Sequence, residues 1–166
     1  KENRTGILDF QKPLRVFWKT EKPAETLIVT DKEIWQYIVD EELVYKYSAD
    51  LIKDSRNIIQ VITGQALLTK DFDYQLEGLD KNYQKLRLYP KEPNTQMVEV
   101  LLWVNPQTGH INTARVLDFY GNINEITFTS YTVNKKFDKS HFQFTVPKGV
   151  ELEDRTNGNI QRDLFK

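Results

Sequence analysis

The sequence has no cysteine among its 166 residues. A disulfide framework and zinc sites built on thiolates are therefore excluded. It also lacks an excess of either charge, since 23 basic residues are balanced by 24 acidic ones and the formal net charge is -1. A dedicated nucleic-acid-binding protein would carry a strong basic excess, so this class is not supported. No apolar run approaches the roughly 18 residues that a membrane-spanning helix needs.

Recognisable catalytic motifs are missing as well. The seven glycines fall mostly at predicted turns, and none belongs to a dinucleotide-binding fingerprint, a phosphate-binding loop or a nucleophile elbow. The two histidines, His110 and His141, have no acidic residue or second histidine at metal-ligand spacing, so we interpret them as surface histidines. Nothing in these residues supports an enzyme or a metal site.

Short runs of alternating apolar and polar residues fill most of the chain and are typical of strands. The first run, over residues 8–18, places one lysine, Lys12, in the middle of an otherwise apolar face. Further runs are separated by short polar turns, and the last clear one is HFQFTVP at residues 141–147. We predict an antiparallel meander of about nine or ten strands, with one more short strand around residues 150–152.

Residues 54–64 have a helical pattern instead. Asp54 or Ser55 can cap the helix, and Gly64 lies where the helix would end. An apolar stripe on one helical face is formed by Ile58, Ile59 and Ile62. Two roles stay open for this insertion, because it can close an apolar pocket as a lid or plug the end of a barrel.

Aromatic residues are the most informative part of the composition, with nine phenylalanines, eight tyrosines and three tryptophans. Trp18, Trp35 and Trp103 all lie in predicted strands. Core packing accounts for any one of them, whereas as a group on one curved sheet they suit the wall of an apolar pocket. A sheet of this length must curl, and its concave face encloses either a packed core or a cavity.

Five short motifs occur in order between residues 6 and 154. They are GILDFQKPLRVFW, ETLIVTDKEIWQYI with Asp31, Trp35 and Tyr37, RLYPK, LDFYGNINEITF with Asp118, Gly121 and Phe128, and FQFTVPKGVELED. Together they resemble the bacterial outer-membrane lipoprotein carrier family of the LolA type. Each motif is short, and it is their common order along the chain that makes the resemblance specific.

The resemblance implies a single domain over residues 1–166 that is mainly β with a helical lid. In such a fold a curved antiparallel sheet forms an incomplete, half-open β-barrel around an apolar cavity. From the resemblance and the alternation we expect the acyl-chain cavity to be lined by Leu8, Phe10, Leu14, Val16, Trp18, Leu27, Val29, Trp35, Tyr37, Trp103 and Phe128. The lid residues expected in the same way are Ile58, Ile59, Ile62 and Leu67.

The function that the resemblance implies is transport of lipoproteins. A monomeric periplasmic chaperone of Gram-negative bacteria would bind the acyl chains of lipoproteins, take them from an inner-membrane ABC-type exporter and pass them to an outer-membrane receptor. Such a carrier performs no reaction and needs no cofactor. Related folds leave two alternatives open, a periplasmic regulatory or sensor domain and the outer-membrane receptor itself. A β-domain with a fully packed interior is a further alternative.

Three departures from the family pattern affect the expected site. The first helix and first strand of the family have no counterpart in the sequence, so we expect a preceding segment to be missing. Lys32 replaces a turn glycine, and Lys12 replaces an arginine that holds the family's lid shut. We predict that Lys12 acts as a weaker latch, because its ammonium has three donors but lacks the planar fork of arginine. Alternatively, Lys12 lies at the sheet edge and extends into water.

Overall fold

The computed structural model describes residues 3–54, 58–64, 66–92 and 94–157. This part of the chain contains eleven strands: β1 (Gly6–Gln11), β2 (Arg15–Glu21), β3 (Ala24–Val29), β4 (Glu33–Ile38), β5 (Leu43–Ser48), β6 (Phe72–Asp80), β7 (Tyr83–Pro90), β8 (Glu99–Val104), β9 (Ile111–Leu117), β10 (Ile123–Thr127) and β11 (Glu151–Asp154). The helices described are α1 (Asp50–Asp54), α2 (Ile58–Ile62) and α3 (Leu68–Asp71), with one 3-10 turn at Val39–Glu41. The predicted mainly β class with a helical insertion is confirmed.

The chain divides into two compact units. Unit 1 comprises residues 1–54 and 136–166, and unit 2 comprises residues 55–135. Unit 1 contains a six-stranded sheet in the order β1-β2-β3-β4-β5-β11, and unit 2 contains a five-stranded sheet in the order β10-β9-β8-β7-β6. Each sheet is open, with two edge strands among the described residues.

The predicted single antiparallel meander is wrong in two respects. The strands form two sheets, and β11 joins β5 in parallel. Residues 141–147, predicted as the last clear strand, form no strand. Phe144 of this segment instead packs on a face of the six-stranded sheet, where its ring lies 5.4 Å from that of Trp35. An extended segment that packs on the face of a sheet therefore has the same alternating sequence pattern as a strand, although its backbone is not paired with the sheet.

The opening run at residues 8–18 is a hairpin and not one strand. A turn at residues 12–14 contains Pro13, whose ring restricts φ and removes a backbone donor. Leu8 lies opposite Trp18, and Phe10 opposite Val16. Directly opposite residues of antiparallel strands project to the same side, so these four side chains share one face, which we call face A.

Face A carries the core of unit 1. Across the sheet, Val16 lies opposite Val29, Val29 lies opposite Ile34, and Ile34 lies opposite Tyr47, so all four side chains project from face A. All four side chains are almost completely buried. The apolar residues of four consecutive strands therefore meet in one row across the sheet, and this row stabilises the unit through burial.

A polar group, Gln36, is buried on the same face. Its Nε2 donates to Glu25 Oε1 at 2.7 Å, and its Oε1 accepts from the Tyr47 hydroxyl at 3.5 Å. The second carboxylate oxygen of Glu25 accepts from Arg4 Nη1 at 3.1 Å. Because the amide has partners for both of its polar ends, its burial among apolar residues is tolerated.

The core of unit 2 lies on one face of its sheet, which we call face C. Register places these residues on the same side, and all are buried: Leu88, Val100, Leu102, Ala114 and Val116. Helix α2 packs against β9. The helix and the sheet thus bury their apolar residues within one unit.

The predicted helical insertion is present as short helices. Ile58, Ile59 and Ile62 are buried in α2, as the helical stripe indicated, and Gly64 follows the helix. The predicted capping residue Ser55 and the side chain of Asp54 lie outside the described part of the chain. Leu67, expected in the lid with the isoleucines, is exposed and immediately precedes α3.

Replacing Ile34 by alanine tests the core of face A. The change leaves a cavity beneath a fully buried position, so we expect the free energy of unfolding to fall by about 2–5 kcal/mol. Urea denaturation followed by circular dichroism measures it. Ile7→Ala, at an exposed position of β1, is the control and should change stability by less than about 0.5 kcal/mol. Equal effects of the two changes would contradict the assignment of face A as the core.

Candidate functional site

The accessible part of face A lies at the β1 edge of the six-stranded sheet. Phe10 is 41% exposed although it lies opposite the buried Val16. Leu8 and its cross-strand partner Trp18 are half-buried on the same side. Three large apolar side chains therefore extend the core of unit 1 to solvent and can contact an apolar ligand.

Face C has a similar accessible part on the edge strand β6. Tyr74 and Leu76 lie opposite β7 residues of face C and are themselves exposed. A β-bulge follows Leu76, and Gly78 within it adopts a positive φ of 85°. Because the bulge adds one residue, the exposed Leu79 projects to the same side as Tyr74 and Leu76. The bulge thus aligns three apolar side chains that strict alternation would separate.

These two accessible strips suit an aliphatic ligand. Each is an extension of a buried core, and exposed apolar patches of this kind commonly mark ligand-binding or interaction surfaces. Sequence reasoning missed the β6 strip. The signal for its first part was present in FDYQLE, where Phe72, Tyr74 and Leu76 alternate with polar residues.

Seven of the predicted cavity residues lie on or beside face A. Register places Leu27 opposite Trp18, and Val29 opposite Val16, whereas Leu14 is buried in the β1–β2 turn. Val16 and Val29 are too deeply buried to contact a ligand directly. The residues brought together at the β1 edge are Leu8, Phe10 and Trp18.

Trp35 and Tyr37 are on the opposite side of the same sheet, which we call face B, and so are not part of the predicted wall. They flank Gln36, a face A residue, and adjacent residues of a strand point to opposite faces. Trp35 Nε1 donates to Glu33 Oε1 at 3.0 Å, and Lys46 Nζ lies 4.9 Å from the centre of its ring. The indole is therefore held on face B by a hydrogen bond and a cation–π contact, beside its buried cross-strand partner Ile28.

A segment of the chain, residues 137–144, covers part of face B. His141 Nε2 lies 2.9 Å from Asp9 Oδ2, and its ring is 5.0 Å from that of Phe17. Phe144 packs on Trp35 and Tyr37 at centroid distances of 5.4 and 6.0 Å. These aromatic contacts occupy the side chains of face B that alternation would otherwise offer to a ligand.

Trp103 is likewise on a charged face, which we call face D, opposite face C. It lies across from Lys85, whose ammonium is 5.4 Å from the ring centre, and the Arg115 guanidinium is 5.2 Å away. Its Nε1 donates to Asp80 Oδ2 at 2.8 Å. A charged and hydrogen-bonded environment makes this tryptophan an unsuitable wall for an acyl chain, in contrast to the prediction.

The last predicted wall residue, Phe128, follows β10 and joins a small aromatic group. Its ring lies 5.4 Å from that of Tyr131, which in turn stacks on His110 at 4.9 Å. Burial raises the pKa of the Tyr131 phenol to about 12. Phe128 therefore belongs to this aromatic group rather than to the β6 strip.

The charged residues of face D form an ion-pair network. Glu77 pairs with Arg87 and with Lys85, the latter at 2.9 Å, and Arg87 also binds Glu99 at 2.7 Å. Hydrogen bonds from the Arg87 and Lys85 side chains hold the pKa of Glu77 at about 2. The same pairing raises the pKa of the Arg87 guanidinium. Face D is thus hydrophilic and differs from face C in character.

Lys12, the predicted latch, is exposed in the turn between β1 and β2. Its side chain makes no hydrogen bond or ion pair with another residue within the ranges that the structure describes.

The described residues hold no cluster of three or more histidine, cysteine, aspartate or glutamate side chains suited to a metal ion. Across the same ranges, no helix has both the length and the apolar character needed to span a membrane.

Comparison with known proteins identifies the family. A family model described as outer membrane lipoprotein carrier protein LolA matches residues 1–145. The chain belongs to this family. A protein of Pseudoalteromonas translucida named outer-membrane lipoprotein carrier protein is 25% identical over 155 residues, covering 92% of this chain and 72% of that one. A protein of the same name from Nitrosospira multiformis is 28% identical over 152 residues, covering 91% and 72%.

One solved structure has a similar fold. The crystal structure of an uncharacterized conserved protein from Thermus thermophilus matches with a TM-score of 0.55 and 14% identity, covering 86% of this chain and 75% of that one. At this identity the likeness concerns the fold alone. Membership of the LolA family, together with the names of the relatives, supports a lipoprotein carrier role.

Replacing Arg87 by glutamine tests the face D network. A carboxyl whose pKa is lowered contributes stability that is present above its ordinary pKa and is lost as the pH falls through the folded value. In the native protein Glu77 should therefore stay ionised down to pH values near 2. Arg87→Gln should raise the Glu77 midpoint towards about 4.3.

Carbon-detected NMR titration of the Glu77 carboxyl measures this midpoint. Lys81→Gln is the matched control, because it removes one positive charge from the neighbouring β6–β7 turn and leaves the network intact. A Glu77 midpoint that is the same in all three proteins would refute the role of Arg87.

Proposed function

We propose that this chain is a periplasmic carrier that binds the acyl chains of lipoproteins on its accessible apolar strips. It takes them from an ABC-type exporter in the inner membrane and delivers them to a receptor at the outer membrane. The observation that carries the proposal is the pair of exposed strips beside buried cores, one at the β1 edge of face A and one on β6 of face C. Family membership supports it. The two units work as one monomeric carrier domain over residues 1–166, without a cofactor and without catalysing a reaction.

Carriage of an acyl chain requires apolar area that is free in the empty protein. Transfer of a chain from water to an apolar surface is favourable by about 0.8 kcal/mol per methylene group, so a chain of ordinary length gains on the order of 10 kcal/mol before costs. The accessible strips supply this area, whereas Val16, Val29 and the core of face C support the strips from beneath.

Release requires that binding can be weakened without a chemical reaction. A segment that opens and closes across a small free-energy difference meets this need. We propose that Leu67, exposed at the start of α3, belongs to this segment, and that the buried isoleucines of α2 anchor it in unit 2. Lys12, exposed in its turn, is the latch residue of this proposal, and the three donors of its ammonium stabilise the closed state.

The latch is tested by two changes at one position. Lys12→Ala removes the donors, and we expect faster release of bound lipoprotein. Lys12→Arg adds a planar five-donor group, and we expect slower release. Stopped-flow release of a fluorescent lipoprotein measures both rates. The latch hypothesis is wrong if neither substitution alters the rate of release.

The binding strip is tested by a matched pair in β1. Phe10→Ser removes an accessible apolar residue of face A, and we expect capture of lipoprotein to fall by roughly fivefold or more. Ile7→Ser removes a side chain that is 61% exposed in the same strand but points to face B, and should leave capture unchanged. The measurement is extraction of a labelled lipoprotein from spheroplasts into a soluble complex.

A second matched pair applies the same measurement to face C. Leu76→Ser should lower capture, and Tyr89→Ser, at an exposed position of β7 opposite Asp73 and outside the apolar strip, should not. Failure of the unaltered chain to extract any lipoprotein, combined with tight binding to a regulatory protein, would contradict the carrier proposal and favour a sensor domain.

A further inference from the structure

The tip of the β9–β10 hairpin exposes two neighbouring aromatic residues. Phe119 is 70% exposed and Tyr120 is 76% exposed, and Ile123 beside them at the start of β10 is also exposed. Aromatic side chains are normally buried, and an exposed group of this kind commonly marks a contact surface. The tip is on neither of the apolar strips described above, and the carrier proposal assigns it no role.

The turn that presents these side chains is held by its own hydrogen bonds. One carboxylate oxygen of Asp118 accepts from the backbone N–H groups of Tyr120 and Asn122, each at 2.8 Å. The other accepts from the Asn122 side-chain amide at 2.8 Å. Gly121 takes a positive φ of 84°, which a residue with a Cβ adopts at a cost. The backbone of the tip is therefore preorganised.

The two rings contact each other, and the backbone of the tip is bonded to the adjacent loop. Their centroids are 5.6 Å apart and their planes cross at 87°, an edge-to-face pair. The backbone N–H of Phe119 donates to the Thr95 carbonyl at 3.0 Å, which ties the tip to the loop before β8. Little conformational freedom of the backbone would be lost when such a tip meets a partner.

The chemistry of the tip favours a lipid surface without net charge. Residues 118–127 contain two acidic residues, Asp118 and Glu125, and no lysine or arginine. The cation on the neighbouring strand, Arg115, is already paired with Glu125 at 2.6 Å, so its charge is balanced within the hairpin. Phenylalanine supplies an apolar ring, and tyrosine supplies a ring with a hydroxyl, the combination that suits the boundary between headgroups and acyl chains.

We propose that the Asp118–Asn122 tip is a membrane-contact point that inserts Phe119 and Tyr120 into the interfacial region of a zwitterionic phospholipid bilayer. The contact is reversible, because two aromatic side chains bury far less apolar surface than a membrane anchor does. It would bring the protein to a bilayer surface without a lipid modification. This inference goes beyond the proposed carriage of acyl chains and does not depend on it.

Vesicle flotation tests the proposal with the full chain. Vesicles of phosphatidylcholine and phosphatidylethanolamine should bind the unaltered protein, and Phe119→Ser combined with Tyr120→Ser should lower the partition coefficient by roughly tenfold. The control combines Ile7→Ser with Leu152→Ser, two exposed apolar positions on face B of the other sheet. This control should partition as the unaltered protein does.

A fluorescent variant gives an independent measurement. Phe119→Trp places an indole at the tip, and its added emission should shift to the blue when the same vesicles are present. Circular dichroism and the urea midpoint of each variant verify that the fold is retained. The tip consists of surface residues, so these values should match those of the unaltered protein.

Three results would overturn the proposal. The first is an unaltered chain that does not partition, or a doubly substituted tip that partitions equally well. The second is binding that needs phosphatidylglycerol and disappears with added salt, which would indicate an electrostatic contact elsewhere. The third is a tip substitution that weakens binding to a purified partner protein while leaving vesicle binding unchanged, which would assign the aromatic pair to a protein interface.

Discussion

Directly opposite residues of two antiparallel strands project to the same side of a sheet, and this constraint decides which side chains of the protein act together. In unit 1 it joins Val16, Val29, Ile34 and Tyr47 into one buried row. In unit 2 it joins Leu88, Val100 and Val116. A shift of one residue in either register would turn these rows towards solvent, so the hydrophobic effect and the strand pairing select the same arrangement.

The two remaining faces are not left as bare apolar surface. Face B is partly covered by the aromatic segment at residues 137–144, through the contacts of Phe144 with Trp35 and of His141 with Asp9. Face D is occupied by an ion-pair network that includes Glu77 and Arg87. Accessible apolar strips therefore remain on the same sides as the cores, at β1 and at β6, and these are the surfaces to which we assign the cargo.

Much of the architecture could be predicted because local patterns carry it. Alternation located most of the hairpins although it merged β1 and β2 into one run, the isoleucine stripe located α2, and five ordered motifs identified the family. The site was less predictable. Resemblance and alternation predict Trp35, Tyr37 and Trp103 in the cavity wall, but each lies on a face opposite to a core. The sequence shows how many aromatic residues a strand has. The face of the sheet from which each one projects depends on how that strand is oriented and paired in the sheet.

Two features of unit 2 show the same limit more sharply. The bulge after Leu76 shifts the alternation of side chains within β6 by one residue, so Leu79 projects to the same face of the sheet as Tyr74. The sequence has no simple period that reveals this shift. At the β9–β10 turn, Asp118 and Gly121 are recognisable as turn residues, but the pattern does not reveal that Phe119 and Tyr120 are exposed on a turn held by hydrogen bonds to Asp118.

The amino-acid sequence by itself determined the mainly β class, the positions of most hairpins and the family. Those properties follow from residue type and short-range spacing, which local backbone sterics and burial translate directly into strands and turns. Only the tertiary structure decided which apolar residues are core and which stay accessible, that residues 141–147 pack as a covering segment, and that β11 joins β5 in parallel. These outcomes depend on contacts between residues far apart in the chain, and no local pattern encodes such contacts.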